Sequence, residues 1–186
     1  MSEARISDPQ VLRALAHPLR GRLLGLLRLE GPSTASRLAE RVGESSGATS
    51  YHLRQLAAYG MVVDATDRGT GRERWWQATH TTTTWEPDAL LQQPGGLEAN
   101  ELMQRHQIEV MGRELRSWVD SGRTHGPEWA AVAGLSDYVL RLTPAETRQV
   151  LEELDAVLDS WAARTHDPRP GTLPVNVFTA GFPRTP

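Results

Sequence analysis

Between Ser33 and Trp76 the chain reads STASRLAERVGESSGATSYHLRQLAAYGMVVDATDRGTGRERWW, and no other stretch limits the possible folds so strongly. Ala35, Leu38, Ala39 and Val42 recur at three and four residues, the period of one buried helix face. Ser33 or Thr34 supplies the N-cap, and Gly43 stands where a helix ends in the left-handed region that glycine enters cheaply. Ser45 or Ser46 caps a second helix, 46–59, whose inward stripe is Thr49, Leu53, Leu56 and Ala57, with Gly60 just past its end. Met61 to Thr66 then reads as a strand, Asp67 to Gly71 as a glycine-bearing turn, and Arg72 to Thr79 as the returning strand. Helix, polar turn, helix and hairpin in that order make a helix-turn-helix followed by a wing.

The second helix shows Ser46, Gly47, Ser50, Tyr51, His52 and Arg54 outward. A recognition helix enters the major groove with its N-terminal residues first, where short side chains let the backbone approach and hydroxyls or Arg bond base edges and phosphates. Thr49 belongs to the inward stripe and is also counted among the candidate contacts. Taken alone, a Ser-rich, Arg-bearing face is an ordinary solvated surface. The hairpin directs it to DNA, because Arg68, Arg72 and Arg74 cluster at or beside the tip against Asp67 and Glu73. Arg68 and Arg72 are the better wing contacts. Arg74 has the alternative of lying on the solvent face of its strand.

Two further runs, ALAHPLRGRLLGLL at Ala14 to Leu27 and SSGATSYHLRQLAAYGMV at Ser45 to Val62, give the chain a resemblance to the ArsR-type winged-helix repressors over about Asp8 to Thr79. The resemblance implies a dimeric transcription regulator that binds or releases an operator when a ligand or metal docks. It places Ser46, Ser50, Tyr51, His52 and Arg54 on the DNA-facing helix. Metal-sensing members use cysteine thiolates, and this chain has no Cys.

That absence also excludes disulfides and thiolate redox chemistry, and suits a reducing cytoplasm. The formal charge of −3 seems unsuited to nucleic acid until the chain is divided. Residues 1–80 hold 11 Arg against 8 acidic groups, a net +3, and residues 81–186 hold 9 against 15, a net −6. The positive balance therefore sits with the winged helix. All the basic residues are Arg, the side chain best shaped for bidentate phosphate or guanine contacts; genome composition explains the same bias. No apolar run approaches the roughly 18 residues of a membrane span, and MSEARISDPQ lacks the apolar core of a secretion signal. A cytoplasmic location with no membrane partner is expected.

Asp8-Pro9 opens the first helix, with Asp as N-cap, Pro at its first position, and Val11, Leu12 and Leu15 inward. His17-Pro18 breaks it and starts the next, with Leu19, Leu23, Leu26 and Leu27 inward and Gly31-Pro32 beyond its end. His17 reads as a structural cap and not a ligand. Arg20 and Arg22 read as solvated, with a phosphate contact as the alternative. The β-branched run Thr79 to Trp85 is expected to extend the sheet. Residues 86–96, with Pro87, Pro94 and a Gly pair, read as a linker holding a helical turn at Asp88 to Gln92.

From 97 to 122 the period is helical, with one stripe at Ile108, Met111, Leu115, Trp118 and Gly122 and another at Leu102, His106 and Val110. Two apolar sides ask for two covers, so Leu102, Ile108, Met111, Leu115 and Trp118 are predicted as a homodimer seam; the alternative packs both stripes inside one chain. Glu128 to Ala133 is a helical turn. Ser136 to Leu142 and Val175 to Ala180 read as paired strands. Between them Thr143-Pro144-Ala145-Glu146 opens a helix to about Arg164 with a capping box, and Val150, Leu151, Leu154, Val157, Leu158 and Trp161 face inward. This LTPAE and ELDAVLDSW arrangement resembles, less closely, the C-terminal region of a subset of the same regulators. Trp118, Trp129, Trp161, Tyr138, Phe178 and Phe182 are core residues or the lining of a small-molecule effector pocket of unknown identity. The His residues show no ligand spacing, so no metal or other cofactor is expected.

The expected fold is α+β and mainly helical. A winged helix-turn-helix over 1–85 leads through a linker at 86–96 to a dimerisation or effector module at 97–186. With no phosphate-cradling glycine loop and no nucleophile elbow, the chain is not expected to be an enzyme. The reading favoured is a dimeric, sequence-specific transcription regulator, a repressor, with 46–59 in the major groove of double-stranded operator DNA and the 61–79 hairpin as wing. The alternative keeps the winged helix as a protein-interaction module without DNA readout. A MarR-type dimer places more helix ahead of the motif, and a TetR-type regulator has no wing.

Overall fold

The computed structural model describes residues 3–65, 74–164 and 169–184. The chain forms two compact units, Met1–Arg113 and Glu114–Pro186. It is mainly helical with two small sheets, as expected from its patterning.

The first unit opens with strand β1 (Glu3–Ile6), then helices α1 (Pro9–Leu15) and α2 (Pro18–Leu29). Asp8 Oδ1 accepts the Gln10 amide at 2.7 Å, and Pro9 loses no hydrogen bond in the first turn. His17 is the cap of α2, its Nδ1 accepting the Leu19 amide at 3.2 Å. Strand β2 (Ser33–Thr34) leads into α3 (Ala35–Val42), and Thr34, not Ser33, is the N-cap. Gly43 adopts φ 74°, the left-handed turn its position required. Ser45 Oγ then caps α4 (Ser46–Ala58) by accepting the Ala48 amide at 3.2 Å.

Strands β3 (Val62–Asp64) and β4 (Trp75–Ala78) form the antiparallel hairpin, with Val62 opposite Ala78 and Asp64 opposite Trp76. β2 pairs with the other edge of β4, so the sheet order is β2-β4-β3. The predicted turn, including Arg68 and Arg72, lies outside the described residues.

Strand β5 (Thr82–Trp85) corrects one expectation. It does not extend the wing sheet but pairs in parallel with β1, from Glu3 opposite Thr82 to Ile6 opposite Trp85. Ala4 and Ile6 bury the inner face of β1, and Thr84 donates a 2.8 Å hydrogen bond to Glu3. Sequence reading assigned no strand to residues 3–6. The alternation was only four residues long, and its partner is some eighty residues away. Arg28 ties α2 to this sheet, donating to the His80 carbonyl at 2.9 Å and to Thr83 Oγ1 at 2.6 Å.

Residues 86–96 are packed against the first unit and do not run free. Helix α5 (Pro87–Leu91) buries Leu90 completely, Gln93 donates to the Ser7 carbonyl at 2.6 Å, and Arg13 to the Gly95 carbonyl at 2.7 Å. Helix α6 (Gly96–Ser121) begins against the Leu90 carbonyl so closely that a Cβ at Gly96 would lie 1.7 Å from its oxygen. The face α6 buries is Ala99, Asn100, Met103 and His106. Among the described residues of the two predicted stripes only His106 is buried, while Leu102 and Ile108 are 46% and 63% exposed. The core of the unit joins Leu12, Leu23, Leu27, Leu38, Leu53, Leu56, Val62 and Trp76 with Leu90, Ala99 and Met103. The α1–α4 bundle, the wing sheet and the start of α6 therefore share one apolar interior.

The second unit holds a 3₁₀ turn (Gly122–His125), α7 (Pro127–Val132) and α8 (Pro144–Arg164). The capping box forms as expected. Thr143 donates its amide to Glu146 at 2.7 Å, and the Glu146 amide returns to Thr143 Oγ1 at 3.2 Å. The expected strands at Ser136 to Leu142 and Val175 to Ala180 are absent from the described residues of this unit. Their alternation is present, but a strand exists only through a ladder of paired amides, and neither segment has one. No described residue of the unit is fully buried. Leu154, Val157 and Trp161 of the predicted inward stripe are exposed, as are Tyr138, Phe178 and Phe182, so these aromatics line neither a closed core nor an enclosed pocket.

Candidate nucleic-acid interface

Helix α4 is held by what it buries. Thr49, Leu53 and Leu56 are fully covered and turn the opposite face outward. On that face Ser46, Gly47, Tyr51 and Arg54 are exposed and Ser50 is half-buried, whereas the half-buried His52 turns its ring away from that face toward His17. Thr49 is a correction. At 0% exposure, with its hydroxyl unpartnered among the described residues, it sits in the interior of the unit, where the three- and four-residue period had also put it.

Ser50 and Arg54, one turn apart on α4, open onto a groove of ≈ 270 Å³. Its other walls are Thr34, Ala35 and Ser36 at the start of α3, Arg74 just before β4, and Trp76 on β4. The fold thus brings two arginines, three hydroxyl side chains and a helix N-terminus to one concavity, the combination that suits a phosphate group. Ser36 escaped the sequence reading. Its position in the first turn of α3 was visible, but its nearness to Arg54 and Arg74 depends on how α3, α4 and β4 pack. Arg74 is exposed just before β4 and lines the groove. Its Nε meets Asp64 at 2.7 Å and its guanidinium lies 4.3 Å over the Trp76 ring. Arg37 sits 5.0 Å over Trp75 in the same manner. Stacking of this kind lets an Arg keep its charge at the surface while its plane is fixed.

Behind α4, the His52 ring lies 4.5 Å from that of His17 at an interplanar angle of 38°, with Tyr51 edge-on at 5.2 Å. Burial, and then Arg20, hold the His52 pKa below the ordinary imidazole value, with Glu44 opposing. His17 is lowered first by burial, then by Arg20 and His52. The guanidinium of Arg20 donates to the Ala14 carbonyl, so Arg20 is a bound structural group and not the solvated one expected. Among the described residues no set of three His, Asp or Glu side chains is placed to hold a metal ion, and no helix is long and apolar enough to cross a membrane.

Residues 15–64 match the family model described as a helix-turn-helix domain. The segment that carries α2 to β3 is therefore a helix-turn-helix domain, and the resemblance read from Ala14 to Leu27 and Ser45 to Val62 falls on it. Among solved structures the chain is similar to one described as a possible transcriptional regulator for arsenical resistance, at 29% identity over 57% of this chain and 93% of that one, with a TM-score of 0.33. It is also similar to Lactococcus lactis ZitR in complex with DNA, at 16% identity over 77% and 74% with a TM-score of 0.34. A third is RV1404 from Mycobacterium tuberculosis, at 15% over 87% and 86% with a TM-score of 0.33. No curated protein matches. Superpositions this loose carry no weight for function.

Proposed function

We propose that the chain is a sequence-specific DNA-binding transcription regulator that works as a homodimer, and that it represses. In this reading α4 enters the major groove with Ser46, Ser50, Tyr51 and Arg54 toward base edges. The hairpin at 61–79 lies along the adjacent backbone, and a phosphate seats in the groove walled by Ser36, Ser50, Arg54 and Arg74. The observation that carries it is the continuity of the outward face of α4 with that two-arginine groove, since a recognition helix needs base contacts and a phosphate anchor together. Two copies related by a two-fold would read half-sites one helical turn apart, roughly 34 Å, which a single small module cannot specify. The exposure of Ile108, on one stripe of α6 with the half-buried Met111, Leu115 and Trp118, and of Leu102 on the other stripe supports this pairing.

The test starts with duplexes selected by the purified protein from a random pool. Arg54→Ala and Ser50→Ala are each expected to weaken the selected duplex by about 1–3 kcal/mol without lowering Tm. Binding by the parent chain should fall steeply with salt, because phosphate contacts release counterions. Wild-type affinity in both variants would remove α4 as the reading element and leave the protein-interaction alternative.

A further inference from the structure

We propose that three imidazoles, His106 on α6, His17 at the head of α2 and His52 on α4, form a proton-sensitive contact that holds α4 in its DNA-reading position only while all three are neutral. The DNA part rests on the function proposed above. The contact itself rests on geometry.

His17 Nδ1 accepts the Leu19 amide at 3.2 Å. An imidazolium carries N–H on both nitrogens and cannot accept, so charging His17 removes the side-chain cap of α2. The His52 ring lies 4.5 Å from His17, and its Nδ1 is buried with no hydrogen-bond partner among the described residues. Charging it would bury an N–H with no acceptor and set a cation against its neighbour. His106, 8% exposed, places Nε2 where a Cβ on Gly21 would come within 3.1 Å. It therefore rests on the backbone of α2 one turn from His17. A proton on any of the three acts on α2, and through His17 on the underside of α4.

The charged and titratable groups facing them are Arg20, His52 and His106 about His17; Arg20 and Glu44 about His52, with Tyr51 edge-on; and Glu109 and Arg113 about His106. Glu44 and Glu109 favour the charged forms, but burial is the largest effect on each imidazole and all three pKa values are lowered. The unfolded chain therefore binds these protons more readily than the fold does. The stability they contribute is complete above the ordinary histidine value of about 6.5 and is lost as pH falls from there toward the folded values.

The experiment combines imidazole NMR titration of the full chain with duplex affinity by fluorescence anisotropy, helicity being followed by circular dichroism at each pH. Affinity should fall about tenfold or more between pH about 7.5 and 5.5 while helicity holds. His17→Asn, which keeps an N-cap acceptor but cannot charge, should bind like the parent at the upper pH and lose most of that slope. His52→Gln should raise the His17 titration toward the ordinary value. An unchanged His17 titration in His52→Gln, or an unchanged affinity slope in His17→Asn, overturns the proposal. If no duplex binds at any pH, the DNA reading and its pH dependence fall together, and the His17 titration still decides the contact between the rings.

Discussion

Thr49 separates what a residue looks like from where it sits. It is a short hydroxyl in the first turn of a DNA-type helix, yet it is fully buried beneath α4. Its Oγ1 has no partner among the described residues, and a buried hydroxyl left unpaired costs about 1–3 kcal/mol. Thr49→Val should leave Tm unchanged or raise it, and should leave duplex affinity as it is. A clear fall in Tm would mean that the hydroxyl is bonded, and a loss of affinity with Tm intact would return Thr49 to the interface. Ser50, one residue on, is the opposite case, half-buried and open to the arginine groove. The two neighbours differ only in which way a 100° step turns them.

At the scale of elements, the packed corner between α5 and α6 governs where α6 leaves the winged helix. Gly96 is the joint, because its missing Cβ leaves room for the Leu90 carbonyl. Backbone cannot step aside as a flexible side chain can, so Gly96→Ala should destabilise the first unit by about 1–3 kcal/mol, read as a lower midpoint in urea. A midpoint equal to that of the parent would show that the two helices approach less closely. The elements most legible in the sequence were those with chemical punctuation at both ends. Asp8-Pro9 before α1, Thr34 and Gly43 around α3, Ser45 before α4 and the Thr143–Glu146 box before α8 all stand at the expected ends. β1 had no such punctuation, and its β5 partner was assigned to the wrong sheet.

For the whole molecule, the open question is what the outer side of α6 meets. Leu102 and Ile108 are exposed in the single chain on the two predicted stripes of this helix, and exposed apolar side chains that group together mark contact surfaces. Ile108→Asp should convert the proposed dimer to monomer in sedimentation velocity. Operator affinity should also drop by at least about tenfold, since a lone chain holds one half-site. A dimer that survives the substitution would move the seam elsewhere.

By itself the sequence determined the helix-turn-helix, its caps and turns, and the outward set on α4. Helix period, N-cap chemistry and glycine at positive φ are local properties, settled within about one turn of chain. Tertiary structure alone decided that β5 joins β1, that residues 86–96 pack down, and that α6 buries Ala99 and Met103 beside His106 while the larger residues of the predicted stripes are not buried. It also decided that Ser36, Ser50, Arg54 and Arg74 meet in one groove. Each of these depends on which distant surface reaches a segment first and covers it best, a competition among contacts far apart in the chain that leaves little mark on any short run of residues.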